Sequence, residues 1–414
     1  AHAHAHMHTH AHTHTHTMST GRAREELRHA SSDAGDCLGE EVKTAYQKRE
    51  RTLAHAHGTV ADTCSFMNMY PRQYVVYETA TPPKIDGNLD EHLWQDTAWS
   101  EPFVDIRGYD YKPPPRFKTQ VKMRWNAHFL FIAAYLEEPE IWANITEHDQ
   151  VIFQDNDFEV FVDPASSSHY YKELEINALA STWALCLNKP YGNSGYENSS
   201  RVFPGKGWDF SSAVEYAVHV DGSLNVPSID NKGWTVEMAL PLTDLMYNNT
   251  LLKPSPGMMW RINFSRVQWH VKVVDHHFEK VANMAEDNWV WSPQGEVAMH
   301  LPERWGFLQF ADNKVNATDL LMDPHWTLRS LARFLYEAQN AFKEKRGEYA
   351  STMDLLAPFD LSKVLAKGTC SHVPTISMTQ TGYTARIVSA AADFEALISE
   401  DRLLQIRSTA DTTT

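Results

Sequence analysis

No run of 18 or more apolar residues occurs in the 414-residue sequence, so nothing in it reads as a membrane span. Nor does an apolar h-region follow the N-terminus, as a secretory signal would require. Basic charge is scarce: 37 Lys plus Arg stand against 53 Asp plus Glu, a formal charge of −16. A polyanion would be repelled at long range, so nucleic acid is not an expected partner. Four cysteines are present, Cys37, Cys64, Cys186 and Cys370, with no CxxC or CxxCH spacing. This argues against a zinc ribbon, a thioredoxin-type site and covalent c-type haem, and it neither requires nor excludes disulfides.

What the chain has in quantity is apolar and aromatic material. Hydrophobic residues make up 43% of it, enough for one large domain or two of ordinary size. Trp and Tyr number 13 and 16, and flat aromatic faces either fill a sandwich core or stack against the apolar faces of pyranose rings. Core filling accounts for most of them.

Residues 1–17 read AHAHAHMHTHAHTHTHT, with eight histidines on alternate positions. A translated repeat of C and A bases gives this pattern, and so would a metal-binding tract, since neutral imidazoles on a flexible chain hold zinc, nickel or copper. The polar stretch that follows has short helical pieces such as Glu40 to Arg51 but no sustained apolar stripe, so residues 1–69 are expected to be poorly ordered.

From Tyr74 the pattern changes to short strands: KTQVKMRW (118–125), HFLFIAAYL (128–136), DFEVFVD (157–163), YYKELEINA (170–178), STWALCL (181–187), AVEYAVHV (213–220), GWTVEMAL (233–240) and MWRINFSRVQW (259–269). Strands separated by turn residues, with no long helix between them, predict an antiparallel β-sandwich over residues 70–312. In the first segment Val121, Met123 and Trp125 alternate with Gln120, Lys122 and Arg124, which predicts one buried and one wet face. HFLFIAAYL is apolar on both faces and is expected to be a central strand. Beyond Asp312 the period becomes helical. Asp323 can cap a helix with Pro324 in its first turn, and Leu328, Leu331, Leu335, Ala338 and Phe342 follow on one face. Residues 313–414 are thus expected to form a C-terminal helix with a small α+β appendage and a disordered tail.

Three segments carry a resemblance: KIDGNLDEHLW (84–94), DQVIFQDNDFEVFVDP (149–164) with YYKELEINALAST (170–182), and WSPQGEVAMHLPERWGFLQF (291–310). In this order they resemble the family 9 carbohydrate-binding modules, over nearly the whole span from Tyr74 to Phe310. The resemblance implies a jelly-roll-like sandwich that binds polysaccharide or oligosaccharide without cutting it, an association with carbohydrate catabolism, and an extracellular setting. Within it, Ile85 and Leu89 flank a turn at Asp86-Gly87, Trp94 would plug the sandwich end, and Trp305-Gly306 would introduce the last strand. Sugar-binding members of the family resemble a clamp of two tryptophans around a terminal sugar. Here the first clamp position falls on Phe153 and the second near Met299. The family's carboxylate is kept as Glu159, and the position of its arginine falls on Glu175. A different ligand, or a scaffold that has lost its clamp, is therefore the competing expectation.

The residues themselves offer several chemistries. Tyr171, Glu173, Glu175 and Asn177 alternate with Leu174 and Ile176, so the polar set points away from the main core, onto a face that either binds polyols or is simply solvated. Phe153, Trp183 and Trp142 are close enough in sequence to supply an aromatic platform. Glu173 and Glu175 would stand roughly 7 Å apart, a separation that glycoside hydrolases also use, but neighbours on one strand cannot flank a glycosidic bond from both sides. Asp155, Asp157 and Asp163, with Asn156, are oxygen-rich in the manner calcium prefers, and members of the family often carry structural calcium; turn and strand capping explain the same residues. A haem b domain of the same sandwich superfamily is a further alternative. Met299 and His300 alternate in direction, so a partner such as Met123 would have to be recruited. Asn144, Asn198, Asn248, Asn263 and Asn316 head Asn-x-Ser/Thr sequons, which are compatible with a secretory route.

Overall fold

The computed structural model describes Phe66 and residues 69–314, 318–359, 374–389, 391 and 393–412. The histidine tract, the Glu40 to Arg51 segment, Cys37, Cys64, Cys370 and Asn316 lie outside the described residues. The chain divides into units of residues 1–60 and 61–414, and every described residue belongs to the second.

Its strands and helices, in chain order, begin with β1 (Gln73–Glu78), a short α1 (His92–Gln95), β2 (Val104–Asp105), β3 (Thr119–Trp125) and β4 (Phe129–Glu137). There follow β5 (Asp157–Asp163), β6 (Tyr171–Asn177), β7 (Thr182–Leu187), β8 (Glu197–Asn198), β9 (Glu215–Asp221), β10 (Gly233–Pro241) and β11 (Met259–Gln268). A hairpin of β12 (Val271–Val274) and β13 (His277–Lys280) leads to β14 (Asp287–Val290) and β15 (Gly306–Ala311). All but the hairpin join one continuous sheet in the order β8-β7-β6-β5-β11-β15-β1-β3-β4-β10-β9, with β14 on β11 and β2 on β14. The sheet curls on itself. Phe158, Val160 and Val162 of β5, Leu174 and Ile176 of β6, and Trp260, Ile262 and Phe264 of β11 pack against Val121 and Met123 of β3, Leu130 and Ile132 of β4, and Trp234, Val236 and Met238 of β10. Two layers around one apolar core make the expected sandwich. It is antiparallel except at β1, which runs parallel to both β15 and β3 where the layers meet.

Part of the outer face of β3 is covered, which overturns one expectation. Lys122 and Arg124 of β3 are buried rather than wet, because the α1 region lies over them: Lys122 Nζ donates to Trp94 O and Arg124 Nε donates to Thr97 Oγ1. Trp94 likewise packs not at a sandwich end but on the outer face, over Phe131, Ala133 and Ala239, with Ile85 and Leu89 beside it. Glu237 of β10 pins this segment. Its Oε2 accepts the N–H groups of Asp86 and Gly87 at 3.0 and 2.8 Å, and its Oε1 accepts Trp94 Nε1. Gly87 has φ +86°, and a Cβ there would sit 2.6 Å from His219 N, so the turn demands glycine. β4, expected to be central, lies between β3 and β10 with both faces buried.

One end of the sandwich holds a buried ion pair. Glu138 accepts hydrogen bonds from Trp234 Nε1 at 2.7 Å, from Gln268 and from Asn156, and stands 3.5 Å from Arg266 Nη2. Arg266 in turn gives Nε to Gln268 Oε1 and Nη1 to Thr119 Oγ1, each at 2.9 Å, so both charges of the buried pair carry further hydrogen bonds that offset their desolvation.

After the sandwich, α2 (Trp326–Arg346) and α3 (Met353–Leu356) precede a four-stranded antiparallel sheet of β16 (Thr375–Met378), β17 (Tyr383–Val388), β18 (Phe394–Ser399) and β19 (Leu404–Ser408). The predicted stripe Leu328, Leu331, Leu335, Ala338 and Phe342 packs against Tyr383, Ala385, Ile387, Ala396 and Ile398 of that sheet. The helix is capped two residues later than expected, at His325: Asp323 Oδ1 accepts the N–H of His325, and its Oδ2 pairs with Arg329 Nε at 2.7 Å. Among the described residues, no helix is long and apolar enough to cross a membrane, and Cys186 of β7 is a buried free thiol.

Candidate binding face

The outer face of β5, β6 and β7, away from the core, carries the residues singled out in the sequence. Cross-strand register sets Ser265 of β11 beside Glu159, Glu159 beside Glu175, and Glu175 beside Trp183, a single row across four strands. The next row runs Asn263, Phe161, Glu173 and Leu185, and on the other side Asp157 pairs with Asn177. Period-2 alternation therefore converges four carboxylates, Asp157, Glu159, Glu173 and Glu175, on one patch.

This patch is not an open polar surface. The relative exposures of the four are 0%, 4%, 5% and 1%. A second apolar cluster covers the sheet here, made of Ile152, Phe161, Tyr171, Trp183, Leu185, Leu187 and Trp305 with Phe153 and Met299 at its edge. Of the two meanings the sequence left for this face, polyol-binding or ordinarily solvated, the second is ruled out. Asp157 Oδ1 accepts the Val267 N–H at 3.1 Å, and Glu175 Oε2 accepts the Phe153 N–H at 2.9 Å. Asp157 Oδ2, Glu159 Oε2 and Glu173 Oε2 are buried without a hydrogen-bond partner. Burial first, and the neighbouring carboxylates second, push Asp157, Glu173 and Glu175 well above the usual carboxylate range. Burial pushes Glu159 up to about 7.

Other expected site residues have structural duties. Asn177 uses its whole amide: Nδ2 donates to Ile145 O and Asp155 Oδ2, and Oδ1 accepts the N–H groups of Leu179 and Ser181. It shapes the turn between β6 and β7. The Tyr171 hydroxyl meets His300 Nδ1 at 2.9 Å. The rings of Phe153 and Trp183 have centroids 6.3 Å apart, within mutual contact, so no sugar ring fits between those two. Met299 Sδ accepts Gln294 Nε2, and its carbonyl accepts Trp305 Nε1. Trp142 is buried.

The expected metal set is corrected. Asp157 and Asp163 end the same seven-residue strand, about 20 Å apart at strand rise. Asp155 accepts the N–H groups of Asn144 and Ile145, and Asp163 accepts that of Ser168. What gathers instead is Asp157, Glu159 and Glu175, whose nearest carboxylate oxygens all lie within 4.8 Å of one another. A haem ligated by Met123 and the Met299-His300 pair is not assembled, since Met123 lies in the sandwich core and Met299 in the outer cluster.

Sequence reasoning passed over two residues. Ser265 joins the patch through register alone, and the same register moves Asp157 from the expected metal set into this patch. Tyr191, in the loop after β7, stands 41% exposed with its ring 4.6 Å from that of His300; nothing local in the sequence marks it.

Residues 85–309 match the family described as carbohydrate family 9 binding domain-like, more than half of the chain. The chain belongs to that family. The matched span contains the whole of the outer face just described. No curated protein matches the chain. Among solved structures, similarity is found to a candidate carbohydrate-binding protein from Bacteroides uniformis, 14% identical, TM-score 0.41, covering 58% of this chain and 99% of that one. It is also found to a family 9 carbohydrate-binding module from Caldicellulosiruptor kristjanssonii, solved with cellotriose at 13% identity, TM-score 0.35 and coverage of 61% and 100%. The same module solved with glucose gives 14%, 0.35, and coverage of 60% and 100%.

Proposed function

We propose that this protein binds polysaccharide or oligosaccharide without cleaving it, over the outer face of β5–β7, and that it works outside the cell alongside carbohydrate breakdown. Membership of the carbohydrate family 9 binding domain-like family across residues 85–309 carries the reading. Two partly exposed rings flank the face, Phe153 and Tyr191, and each can take the apolar side of a pyranose. Tyr171, Trp183 and Met299 back them, and Glu159, Glu173 and Glu175 lie buried beneath the mouth. Asn177 contributes by fixing the β6–β7 turn. Cleavage is disfavoured by geometry, because the carboxylates sit buried side by side on adjacent strands and cannot attack a glycosidic bond from two sides. A secretory route accords with the sequons at Asn144, Asn198 and Asn248; Asn263 is buried in β11 and bonded to Ser292, so it is no acceptor.

A glycan array probed with the full chain tests this. Retention of one glycan class is expected, with Phe153→Ala and Tyr191→Ala each weakening it about tenfold, the loss of roughly one ring stack. Trp99→Ala, an exposed ring against Tyr135 on the opposite layer, is expected to change nothing. Silence across the array, or full retention by both variants, would replace this reading with that of a scaffold whose clamp is lost.

A further inference from the structure

The four carboxyl groups of the outer face are buried together on adjacent strands. No described lysine, arginine or histidine makes an ion pair with any of them. Alternation explains why Lys172 does not: it lies between Tyr171 and Glu173 but on the opposite face, where its Nζ donates to Tyr170 O and Met246 O. Backbone N–H groups, the usual partners of a buried carboxylate, reach only Asp157 and Glu175. A fifth oxygen has the same predicament. Ser265 Oγ is fully buried on the same row as Glu159, lies against that carboxylate, and makes no aligned hydrogen bond. Turn formation, which accounts for Asp155 through the N–H groups of Asn144 and Ile145, leaves no such orphan there.

We propose that Asp157, Glu159 and Glu175 hold a hard divalent cation of the calcium class, with Glu173 and the Ser265 hydroxyl completing its oxygen shell. The spacing suits it: metal–oxygen bonds of about 2.4 Å allow ligand oxygens up to about 4.8 Å apart, and the three carboxylates fall within 4.8 Å of one another. An all-oxygen donor set with no His or Cys favours calcium, magnesium or manganese over zinc or copper. The ion replaces the missing positive partner and leaves no orphaned oxygen in the patch. It also bears on the face above, since Glu175 would be shared between the ion and the Phe153 N–H and so would fix the loop that carries the ring.

Terbium supplies the test, because it seeks hard oxygen ligands and emits when a tryptophan beside it is excited; Trp183 neighbours Glu175 in the row. The full chain serves, as the histidine tract offers only nitrogen. Sensitised emission that calcium displaces is expected, with terbium affinity at least tenfold weaker in Glu159→Gln and in Glu175→Gln. Asp209→Asn, in the exposed His148, Asp149 and Asp209 cluster, is expected to bind as the parent does. Both Gln variants keep the shape of the parent side chain and remove a buried charge, so in chelator they should melt no lower than the parent, which separates lost binding from lost folding. Parent-like terbium affinity in both Gln variants overturns the proposal, and so does the absence of displaceable emission from the parent chain. Glycan retention is read on a separate array, so failure of the cation site and failure of sugar binding are distinct results.

Discussion

Asp163 illustrates how burial turns one side chain into a pH-dependent term. It ends β5 with Oδ2 accepting the Ser168 N–H at 2.7 Å, while Oδ1 is buried without a partner. Burial raises its pKa to about 6, against the lowering pull of the Ser168 N–H and of Arg329 and Arg261. A carboxyl raised on folding binds its proton more tightly in the native state than in the unfolded one. Between its ordinary value near 4 and about 6, the native protein therefore holds the extra proton, and stability falls as pH rises through that window. The loss amounts to about 3 kcal/mol at most. Asp163→Asn keeps an oxygen for Ser168 and removes the titration. The variant should gain on the parent protein between pH 4 and pH 7 in urea unfolding, and parallel curves for the two would show that Asp163 is solvated in the native state.

At the scale of elements, period and propensity proved strong where each strand speaks for itself. All eight quoted strand segments form strands, and the helical stripe from Leu328 to Phe342 packs as one face. What the sequence hides is what lies over a strand's second face. Alternation says that Lys122 and Glu159 point away from the core, but whether those sides meet water depends on chain that returns from far away: the α1 region over Lys122, Phe153 and Trp305 over the carboxylates. β1 was equally hidden, because its two parallel partners, β3 and β15, are set by the curl of the whole sheet. The helix α2 shows the same dependence on distant contacts. Trp326 seats it on the sandwich, with ring centroids 4.9 Å from Tyr70 and 6.2 Å from Phe307, and Arg261 lies over its ring. Trp326→Ala should cost roughly 3–5 kcal/mol if sandwich and appendage unfold together. Two separated transitions, with the sandwich transition unmoved, would instead make the appendage an independent folding unit.

For the molecule as a whole, the site residues were legible as types and positions but not as an assembly. Glu159, Glu175 and Phe153 came from motif order; the structure sets Glu159 beside Glu175 in register and joins Glu175 to Phe153 through one hydrogen bond, Phe153 N–H to Glu175 Oε2. Any cation on Glu175 and any sugar on Phe153 then act on the same few atoms, so their binding energies are coupled. Coupling of this kind is reciprocal: if calcium tightens the glycan by some factor, the glycan must tighten calcium by the same factor. An ordered Phe153 loop is expected to favour the glycan about fivefold or more, the low end of typical couplings. Two calorimetric titrations check this, glycan into the protein with calcium or chelator, and calcium into the protein with and without saturating glycan. Equal factors in the two directions would join the buried carboxylates and the exposed rings into one site. A glycan affinity indifferent to chelator would separate them, leaving the cation a purely structural task in holding β5 against β6.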